Sequence, residues 1–554
     1  MTQERQDELK QMDIEAEALS RALSNTEHES SENIKTRNRS QSPAGSVINK
    51  IKEINIESNK HSKESQQISD DSQSSSTSKK QSQSTDKGMS PTDTYEARDP
   101  EKFRKEVREK IIELMRQSGY DVSVVEPGEF ALKYALSAPY HLFFTRVEKA
   151  KETYKQKFSI TFPEILDRSL GQIVSSLHLN CMVDVGWLCL QYLLAGQRPN
   201  MVILCSQRLG EEELGDNITV VHVEMPFEFG CHHTKVMILQ YKDVGIRVVV
   251  STANLYASDW KNRTQGIWIS PHLPRLSEAA KWSSGESPTN FKKDLQRYLN
   301  SYQNPALKRW RDLVRKADFS AVNVCFIAST PGHFRRIDVN LWGYKKLANV
   351  LSQHVMLPPD APKWSIIAQS SAVGSFGPKY EGWLSKEIVR SMTRETERDL
   401  KDYPEFQFIY PSVKNYEQSF DYQDGSSCFL YMKEVHSKQQ WIKSYLYQWK
   451  AAKTGRDQAM PHIKSYTRIS PDLKRIAWFV LTSANLSKGA WGVQRGDYYI
   501  TNYEVGVAFL PKFITGTTTF PITDEDLTAP IFPIPYDFPL CPYDSNDSPF
   551  TTHE

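Results

Sequence analysis

The chain has 554 residues, a length typical of two or three domains, and its 39% apolar content with 12 tryptophans can fill large cores. A net charge of +2 at pH 7 excludes a strong overall attraction to nucleic acid, so such binding would need a local surface. Seven cysteines, none in a CxxC pair, argue against a disulfide framework or a zinc knuckle and favour reduced thiols.

The N-terminal 98 residues form a polar arm. Residues 1–94 contain no Phe, Trp, Tyr or Cys and are dominated by Ser, Gln, Lys, Glu and Asn, so we expect residues 1–98 to be disordered. Residues 99–135 have helical spacing and are predicted to be a helical lead-in. No apolar run approaches the roughly 18 residues of a membrane span, and the first residues are too polar for a signal peptide. We therefore expect a protein of the nucleus, or also of the cytoplasm, that does not bind membranes.

Helical stretches and short apolar strands alternate twice along the rest of the chain. The first run contains SLGQIVSSL, MVDVGWLCLQYLL, MVILCS, VVHVE, KVMILQY and GIRVVVS, and the second contains WSIIAQS, FQFIYPS, RIAWFVLTS and VGVAFL. This alternation predicts the α/β class, with two similar α/β/α layered halves, residues 136–336 and 337–554, related by a pseudo-twofold axis. The proline-rich tail after Pro511 is predicted to be an extended surface segment.

One motif occurs in both halves, about 230 residues apart: His-x-Lys, then a strand pair, then a Ser/Thr-rich turn that ends in Asn. The motif residues are, in the two copies, His233, Lys235 and Asn254, and His462, Lys464 and Asn485. Both copies continue Ala-Asn-Leu and place a tryptophan six residues after the Asn, at Trp260 and Trp491. A single HxK pair usually belongs to a solvated strand face, whereas the doubled motif predicts a functional site built by both halves.

The residue types in this motif point to phosphate chemistry. Side chains two apart on a strand share a face, so each His and Lys should point into one space while Thr234 and Ile463 point away. Ammonium and carboxamide groups can neutralise and hydrogen-bond the oxygens of a phosphate. One imidazole can attack phosphorus while the other handles the proton of the leaving group. We expect no metal and no other cofactor.

A zinc site at Cys231, His232 and His233 is the alternative that these residue types suggest. Adjacent residues on a strand point to opposite faces, so three in a row cannot close on one ion, and no complementary pair is suitably spaced elsewhere. The prediction for metal ligands is therefore none.

The paired HxK motifs resemble the phospholipase D superfamily, and more closely the tyrosyl-DNA phosphodiesterases. The broad superfamily has HxKxxxxD, but the Asp position is Gln240 in the first copy and Ile469 in the second, a departure typical of the tyrosyl-DNA branch. The strings GCHHTK, STANL, TQGIW, PHIK, TSANLSK and YEVGVAFLP also resemble that family. The resemblance extends from about Pro139 to Phe550 and does not include the N-terminal arm.

This resemblance implies a role for each motif residue. His233 would be the nucleophile that forms a phosphohistidine with the DNA 3′ end, and His462 the general acid and then the base. The residues that orient the two histidines in the family fall on Glu504 and Gln265. A carboxylate beside His233 would stabilise a positive imidazole, whereas a neutral amide beside His462 would leave its proton easier to give. The DNA-binding residues that the resemblance implies are Phe229, Ser370, Ser371 and Ser375.

The implied function is hydrolysis of the bond between a topoisomerase-derived tyrosine and the DNA 3′ phosphate, in DNA repair. The partners would be DNA with 3′ blocking adducts, as a single strand or a duplex end, and the tyrosyl peptide, and the enzyme would be a monomer. Two alternatives stay open: a phospholipase D-type phosphodiesterase acting on lipids or other phosphodiesters, and an inactive nucleic-acid-binding module. The missing Asp counts against the first, and the intact His, Lys and Asn of both copies count against the second.

Overall fold

The computed structural model describes residues 109, 112, 113, 128–208, 214–281, 283–394, 404–525 and 529–552. The arm expected at 1–98 and most of the lead-in expected at 99–135 lie outside these residues. Within the described residues, no helix is long and apolar enough to cross a membrane.

Two large mixed sheets form the centre of the molecule. The strands of the first are β1 (Leu142–Thr145), β2 (Ser159–Ile160), β3 (Ile173–Asn180), β4 (Asn200–Cys205), β5 (Ile218–His222), β6 (Lys235–Tyr241), β7 (Ile246–Ser251) and β8 (Gly266–Ile269). The later strands are β9 (Cys325–Ser329), β10 (Gly332–Phe334), β11 (Ser365–Gln369), β12 (Phe406–Ile409), β13 (Leu446–Tyr447), β14 (Ser465–Ile469), β15 (Arg475–Thr482), β16 (Val493–Arg495), β17 (Asp497–Ile500), β18 (Glu504–Phe509) and β19 (Phe520–Pro521). A small sheet is formed by β10, β17 and β16.

The two large sheets repeat the same strand order. The first reads β2-β1-β8-β7-β6-β3-β4-β5, and the second reads β9-β18-β15-β14-β11-β12-β13, with β19 added at β15. From β1 to β5 and from β9 to β13, each pair of neighbours has the same sense, four antiparallel pairs followed by two parallel ones. The predicted α/β fold of two similar halves is therefore confirmed. Strand β9 lies before the predicted boundary at residues 336 and 337, yet it takes the place in the second sheet that β1 has in the first.

Helices connect these strands. The α-helices are α1 (Phe130–Leu136), α2 (Phe162–Ile165), α3 (Val185–Leu194), α4 (Ala257–Lys261), α5 (Phe291–Ser301), α6 (Lys308–Lys316), α7 (Gly343–His354), α8 (Arg390–Met392), α9 (Val413–Glu417), α10 (Phe420–Gln423), α11 (Lys433–Lys438), α12 (Lys488–Trp491) and α13 (Pro511–Ile514). A π-helix, Leu384–Val389, leads into α8. The 3-10 helices are Lys151–Lys155, Arg168–Leu170, Pro305–Leu307, Arg336–Leu341, Ala361–Lys363, Gln440–Tyr445 and Ala452–Thr454.

The apolar strands are buried on both faces, which explains why their sequences are continuous apolar runs. Along β6, Val236 and Ile238 belong to the core shared with the second sheet, whereas Met237 and Leu239 belong to a separate core on the other face of the first sheet. Gly266 stands where the halves meet, because a β-carbon there would lie 2.4 Å from the side chain of Leu481. The two halves therefore share one core, and their motif-bearing strands are packed together.

The proline-rich tail differs from the prediction. After α13, β19 pairs with β15, and Phe532 is only 1% exposed. The Phe532 ring packs on Phe479 of the second sheet, with centroids 5.0 Å apart, and on Tyr140 of the first half, with centroids 4.8 Å apart. The prediction of a surface segment is wrong for this part of the tail, because its aromatic side chains complete the shared core.

Candidate active site

The two HxK motifs lie where central strands begin. Strand β6 starts at Lys235 and β14 starts directly after Lys464, so both histidines precede the regular strand on which the sequence had placed them. Each lysine ammonium donates a hydrogen bond to the carbonyl oxygen of its own histidine, Lys235 to His233 at 3.2 Å and Lys464 to His462 at 2.5 Å. The shared conformation shows that the repeated motif is also a repeated structure. Thr234 and Ile463 are fully buried away from the histidines, as predicted.

The first histidine is oriented by the second half of the chain. His233 Nδ1 lies 2.9 Å from Glu504 Oε2, and Glu504 begins β18. Ser483 Oγ donates to the same carboxylate at 2.5 Å, and Asn502 Nδ2 donates to its other oxygen at 3.1 Å. Burial acts to raise the pKa of Glu504, but His233 and these two donors outweigh it and lower the pKa below its ordinary value. An ionised Glu504 accepts a hydrogen bond from the Nδ1–H of His233, which leaves the Nε2 lone pair free.

The second histidine is oriented by the first half. His462 Nδ1 lies 3.0 Å from Gln265 Nε2, and the side chain of Gln265 is fixed by the Thr252 hydroxyl, which donates to Gln265 Oε1 at 2.8 Å. Gln265 Nε2 also donates to the carbonyl oxygen of Asp259 at 3.2 Å. His462 Nδ1 also lies 3.2 Å from Gln265 Oε1, so both polar atoms of the Gln265 amide contact this nitrogen.

A carboxylate lies beside His462 as well, so the expectation of a neutral amide alone is incomplete. Asp259 Oδ2 is 3.3 Å from His462 Nδ1, and Asp259 is fully buried. Burial acts to raise the pKa of Asp259, but His462 and Arg263 outweigh it and hold the pKa below its ordinary value. Burial lowers the pKa of His462 to about 3, and Asp259 opposes this shift. His462 is thus neutral in the free protein, and Asp259 is an acceptor for a proton on Nδ1.

Backbone contacts between the halves hold both histidines in these positions. Tyr503, the residue before Glu504, donates to the Cys231 carbonyl oxygen at 3.0 Å and accepts from the His233 N–H at 3.0 Å. Thr264, the residue before Gln265, accepts from the Ile463 N–H at 2.8 Å in the same manner. Each orienting residue is therefore attached, through its neighbour, to the backbone beside the histidine it serves.

Close approach at this junction requires a glycine. A β-carbon on Gly230 would lie 2.6 Å from the carbonyl oxygen of Thr501 in the second half. A side chain there would push apart the segments that contain His233 and Glu504, which explains the glycine in the string GCHHTK.

The two motif asparagines are held in place by different hydrogen bonds. Asn485 Oδ1 accepts from the backbone N–H groups of Ser371 and Ala372, at 3.1 and 3.0 Å, so its amide nitrogen is free to donate elsewhere. Asn254 is placed through its backbone, which donates to Asp259 Oδ2 at 2.7 Å and accepts from the Trp260 indole at 2.9 Å. Fixed amides of this kind can donate to the oxygens of a bound phosphate.

The two motif lysines supply positive charge in a buried space. Lys235 is 1% exposed and Lys464 is fully buried. Burial and the charge of Lys235 together lower the pKa of Lys464 to about 7. A bound anion beside Lys464 would offset both the cost of burying its ammonium group and the repulsion from Lys235.

The residues predicted to bind DNA have separate places. Ser371 lies against Asn485, whereas the Ser370 hydroxyl is buried and donates to the Ala372 carbonyl oxygen at 2.8 Å, so it shapes the turn. Ser375 and Phe229 are half-buried. Their DNA contacts stay predictions.

Sequence reasoning missed Asp259, although a signal for it exists. Asp259 directly precedes Trp260, one of the two tryptophans at matching positions, and the second copy has Ala490 before Trp491. Asp259 has no acidic counterpart in the second copy, so the two copies of the motif are not chemically equivalent at this position. Comparison of the two copies position by position would have selected it.

Among the described residues, no group of three or more His, Cys, Asp or Glu side chains is arranged to hold a metal ion.

A surface cavity of about 540 Å³ lies along α6 and includes Arg309, which donates to Gln240 at 2.7 Å. Gln240 is near the far end of β6 from Lys235, so this cavity is separate from the paired histidines.

Known proteins resemble the chain over most of its length. The family model described as Tyrosyl-DNA phosphodiesterase matches residues 141–544, more than half of the chain. The chain belongs to the tyrosyl-DNA phosphodiesterase family. It is therefore an enzyme of the phosphodiesterase class, and the resemblance inferred from the motifs is confirmed.

Individual tyrosyl-DNA phosphodiesterases agree with this assignment. Tyrosyl-DNA phosphodiesterase 1 of Drosophila melanogaster is 43% identical over 442 residues, covering 77% of this chain and 76% of that protein. A probable tyrosyl-DNA phosphodiesterase of Caenorhabditis elegans is 31% identical, covering 70% of this chain and 84% of that protein. The crystal structure of the yeast tyrosyl-DNA phosphodiesterase superposes with a TM-score of 0.58 at 19% identity, covering 74% of this chain and 99% of that one. This last likeness shows the shared fold.

Proposed function

We propose that this enzyme hydrolyses the bond between a tyrosine and the 3′ phosphate of DNA through a covalent phosphohistidine on His233. The observation that supports it best is the contact of 2.9 Å between His233 Nδ1 and Glu504 Oε2. This contact leaves Nε2 unprotonated for attack and places a negative charge beside an imidazole that becomes positive once it is phosphorylated.

In the first step, His233 Nε2 attacks phosphorus and forms the P–N bond. The bond from phosphorus to the tyrosine oxygen breaks, and the oxygen leaves with the electron pair and takes the Nε2 proton of His462. A bound phosphate raises the proton affinity of His462, which is neutral in the free enzyme, and Asp259 accepts a hydrogen bond from the Nδ1–H of the imidazolium. The products are free tyrosine and DNA joined to His233.

In the second step, water attacks the phosphorus of the adduct. His462 Nε2, now unprotonated, takes a proton from this water, and the P–N electron pair returns to His233. The product is DNA with a 3′ phosphate. In both steps His462 Nε2 exchanges a proton with the substrate while Asp259 holds the proton on Nδ1.

The lysines and asparagines would stabilise the charge on the phosphate. We propose that Lys235, Lys464, Asn254 and Asn485 contact the non-bridging oxygens of phosphorus in both steps; both ammonium groups are close enough to His462 to lower its pKa. Preorganised donors act strongly in a site from which water is excluded. These groups supply the positive charge that a metal ion supplies in other phosphodiesterases, so we propose metal-independent hydrolysis.

The substrate that we propose is the tyrosyl end left by a topoisomerase on a single DNA strand or a duplex end, which makes the enzyme a monomeric DNA repair protein of the nucleus. The relatives are named for tyrosyl-DNA, which supports this substrate over the lipid and the binding-only alternatives. Phe229, Ser371 and Ser375 are proposed to contact the DNA, with Ser370 shaping the turn.

A gel assay tests the proposal directly. The full chain is incubated with a labelled single-stranded oligonucleotide that ends in 3′ phosphotyrosine, and we expect conversion to a 3′ phosphate end. His233→Ala is the control and should leave the substrate unchanged. Intact substrate with folded wild-type enzyme would refute the proposal.

A further inference from the structure

Two cysteines form a buried thiol pair beside the first catalytic histidine. Cys181 directly follows β3 and Cys231 lies two residues before His233, and their sulfur atoms are 4.0 Å apart. Cys181 is 3% exposed and Cys231 is 8% exposed. Neither thiol has a part in the two steps of hydrolysis, so the pair needs another explanation.

We propose that Cys181 and Cys231 are a redox-modification site that takes a small oxidant of the peroxide class and closes to a disulfide that inhibits hydrolysis. The Cys181 thiolate attacks one peroxide oxygen, the O–O bond breaks, and the other oxygen leaves as water after it takes a proton. The Cys231 sulfur then attacks the Cys181 sulfenic acid, forms the S–S bond and expels a second water. Two thiols are oxidised and one peroxide is reduced to two waters.

The surroundings of Cys181 favour its role as the attacking thiol. The hydrogen bond from Cys231 lowers the pKa of Cys181, burial opposes this shift, and the positive charge of Lys235 assists it. Ser206 Oγ lies 3.8 Å from the Cys181 sulfur and 3.1 Å from the His232 carbonyl oxygen, so its single proton can be donated to either atom. A positive charge and hydrogen-bond donors beside a thiol are the features that make cysteines reactive.

Closure of the disulfide would disturb the orientation of His233. A disulfide is about 2.05 Å long, so the sulfur atoms must approach each other by about 2 Å. Cys231 N–H donates to Asn502 Oδ1 at 3.2 Å, and Asn502 Nδ2 donates to the carboxylate of Glu504. Movement of Cys231 therefore acts on the residues that hold Glu504 against His233. This inhibitory effect rests on the proposed function, whereas formation of the disulfide does not.

Peptide mapping of the full chain tests the site. Reduced protein is treated with hydrogen peroxide, its remaining thiols are alkylated, and it is digested without reduction. We expect a cross-linked peptide that contains Cys181 and Cys231 and is lighter by two hydrogens than the two free peptides. Hydrolysis of the 3′ phosphotyrosyl oligonucleotide should fall at least tenfold and recover on treatment with dithiothreitol.

Two variants separate the pair from the other thiols. Cys181→Ser should keep its activity in peroxide because no disulfide can form, whereas Cys541→Ser, in the C-terminal tail, should be inhibited like the wild type. Full alkylation of both cysteines after peroxide treatment would overturn the site, and a cross-link without loss of activity would overturn the inhibition. Absence of hydrolysis in the untreated, reduced protein would instead count against the proposed function, because the cross-link is read independently by mass.

Discussion

His233 of the first half and Glu504 of the second are hydrogen-bonded through Nδ1 and Oε2 at 2.9 Å, although 271 residues separate them in the chain. The opposite contact, from Gln265 of the first half to His462 of the second, is 3.0 Å long. Each half thus orients the histidine of the other. The two environments differ, because His233 contacts the carboxylate of Glu504, whereas His462 contacts both the amide of Gln265 and the carboxylate of Asp259.

Replacement of the carboxylate at the nucleophile should slow the first step. Glu504→Gln keeps the size of the side chain and one acceptor oxygen but removes the negative charge, and we expect the phosphohistidine to form roughly 100-fold more slowly. Rapid-quench single-turnover cleavage measures this rate. The control is Glu525→Gln, which removes a carboxylate from an exposed ion pair with Lys474 and should have no effect. Equal rates for the two variants would show that the charge of Glu504 is not used.

Loss of the second histidine should trap the covalent adduct. In His462→Asn, the first step expels a phenol with a pKa of about 10, which leaves with little acid assistance. The second step lacks a base for water and should slow more. A denaturing gel should then show a slow-migrating, acid-labile protein–DNA band, as expected of a phosphoramidate.

The matching test uses the first histidine. His233→Ala should give no adduct, and the double variant His233→Ala, His462→Asn should lose the band. An adduct in His233→Ala but not in His462→Asn would reverse the two roles. Absence of the band in every variant would contradict the two-step mechanism.

Asp259 should control the proton on His462. Without the carboxylate the imidazolium is less stable, so Asp259→Asn should move the alkaline limb of the kcat profile, which reports the enzyme–substrate complex, to lower pH. The decrease in kcat caused by Asp259→Asn should be smaller for a nitrophenyl ester than for the tyrosyl substrate, because nitrophenol needs less acid assistance to leave than tyrosine does. Asp421→Asn is the matched control, because Asp421 contacts Arg263 at 2.8 Å as Asp259 does at 2.6 Å, but only Asp259 contacts His462. Identical pH profiles for the two variants would assign Asp259 a structural role only.

Removal of metal ions should leave the activity unchanged. Lys235, Lys464 and the two motif asparagines supply the charge and hydrogen bonds that the phosphate requires, so turnover in excess EDTA should equal turnover in untreated buffer. The oligonucleotide assay with and without chelator measures this. Activity that disappears and returns with Mg²⁺ or Zn²⁺ would contradict the prediction.

As the pH is lowered, the folded chain should lose stability at pH values above those at which its carboxylates are protonated. Burial lowers the pKa values of His178, His232 and His462 to about 3 from an ordinary value of 6.5. The unfolded state therefore binds more protons between these values, and the free energy of unfolding should fall as pH drops below 6.5, by up to about 1.4 kcal/mol per pH unit for each histidine. Thermal melting at pH 6.5 and pH 5 measures the fall. A midpoint that does not change over this range would contradict it.

The site residues that could be predicted from the sequence are those of the repeated motif and those in the strings that resemble the family. The two HxK pairs and Asn254 and Asn485 were found because the repeat aligns them, and the structure places them at matching ends of β6 and β14 and after matching hairpins. Asp259 was missed because its significance depends on its distance from His462, a residue of the other half. No local pattern reports such a distance.

Burial of the tail was also beyond local sequence signals. Prolines around Phe532 indicate an extended chain, but periodicity cannot show that a distant sheet leaves space for this ring. The place of β9 in the second sheet could not be predicted for the same reason. Its apolar sequence predicts a strand, whereas its partner β18 is decided only by the packing of the complete chain.

The contact between His233 and Glu504 can form only after the ribosome has synthesised both residues. A ribosome adds roughly 5 to 20 residues per second, so the 271 residues between them take about 14 to 54 s to synthesise. During that interval the nascent first half presents a histidine without the carboxylate that fixes its tautomer. A chain that ends before residue 504 cannot make this contact, so under the proposed mechanism its His233 would lack the carboxylate that orients it for attack.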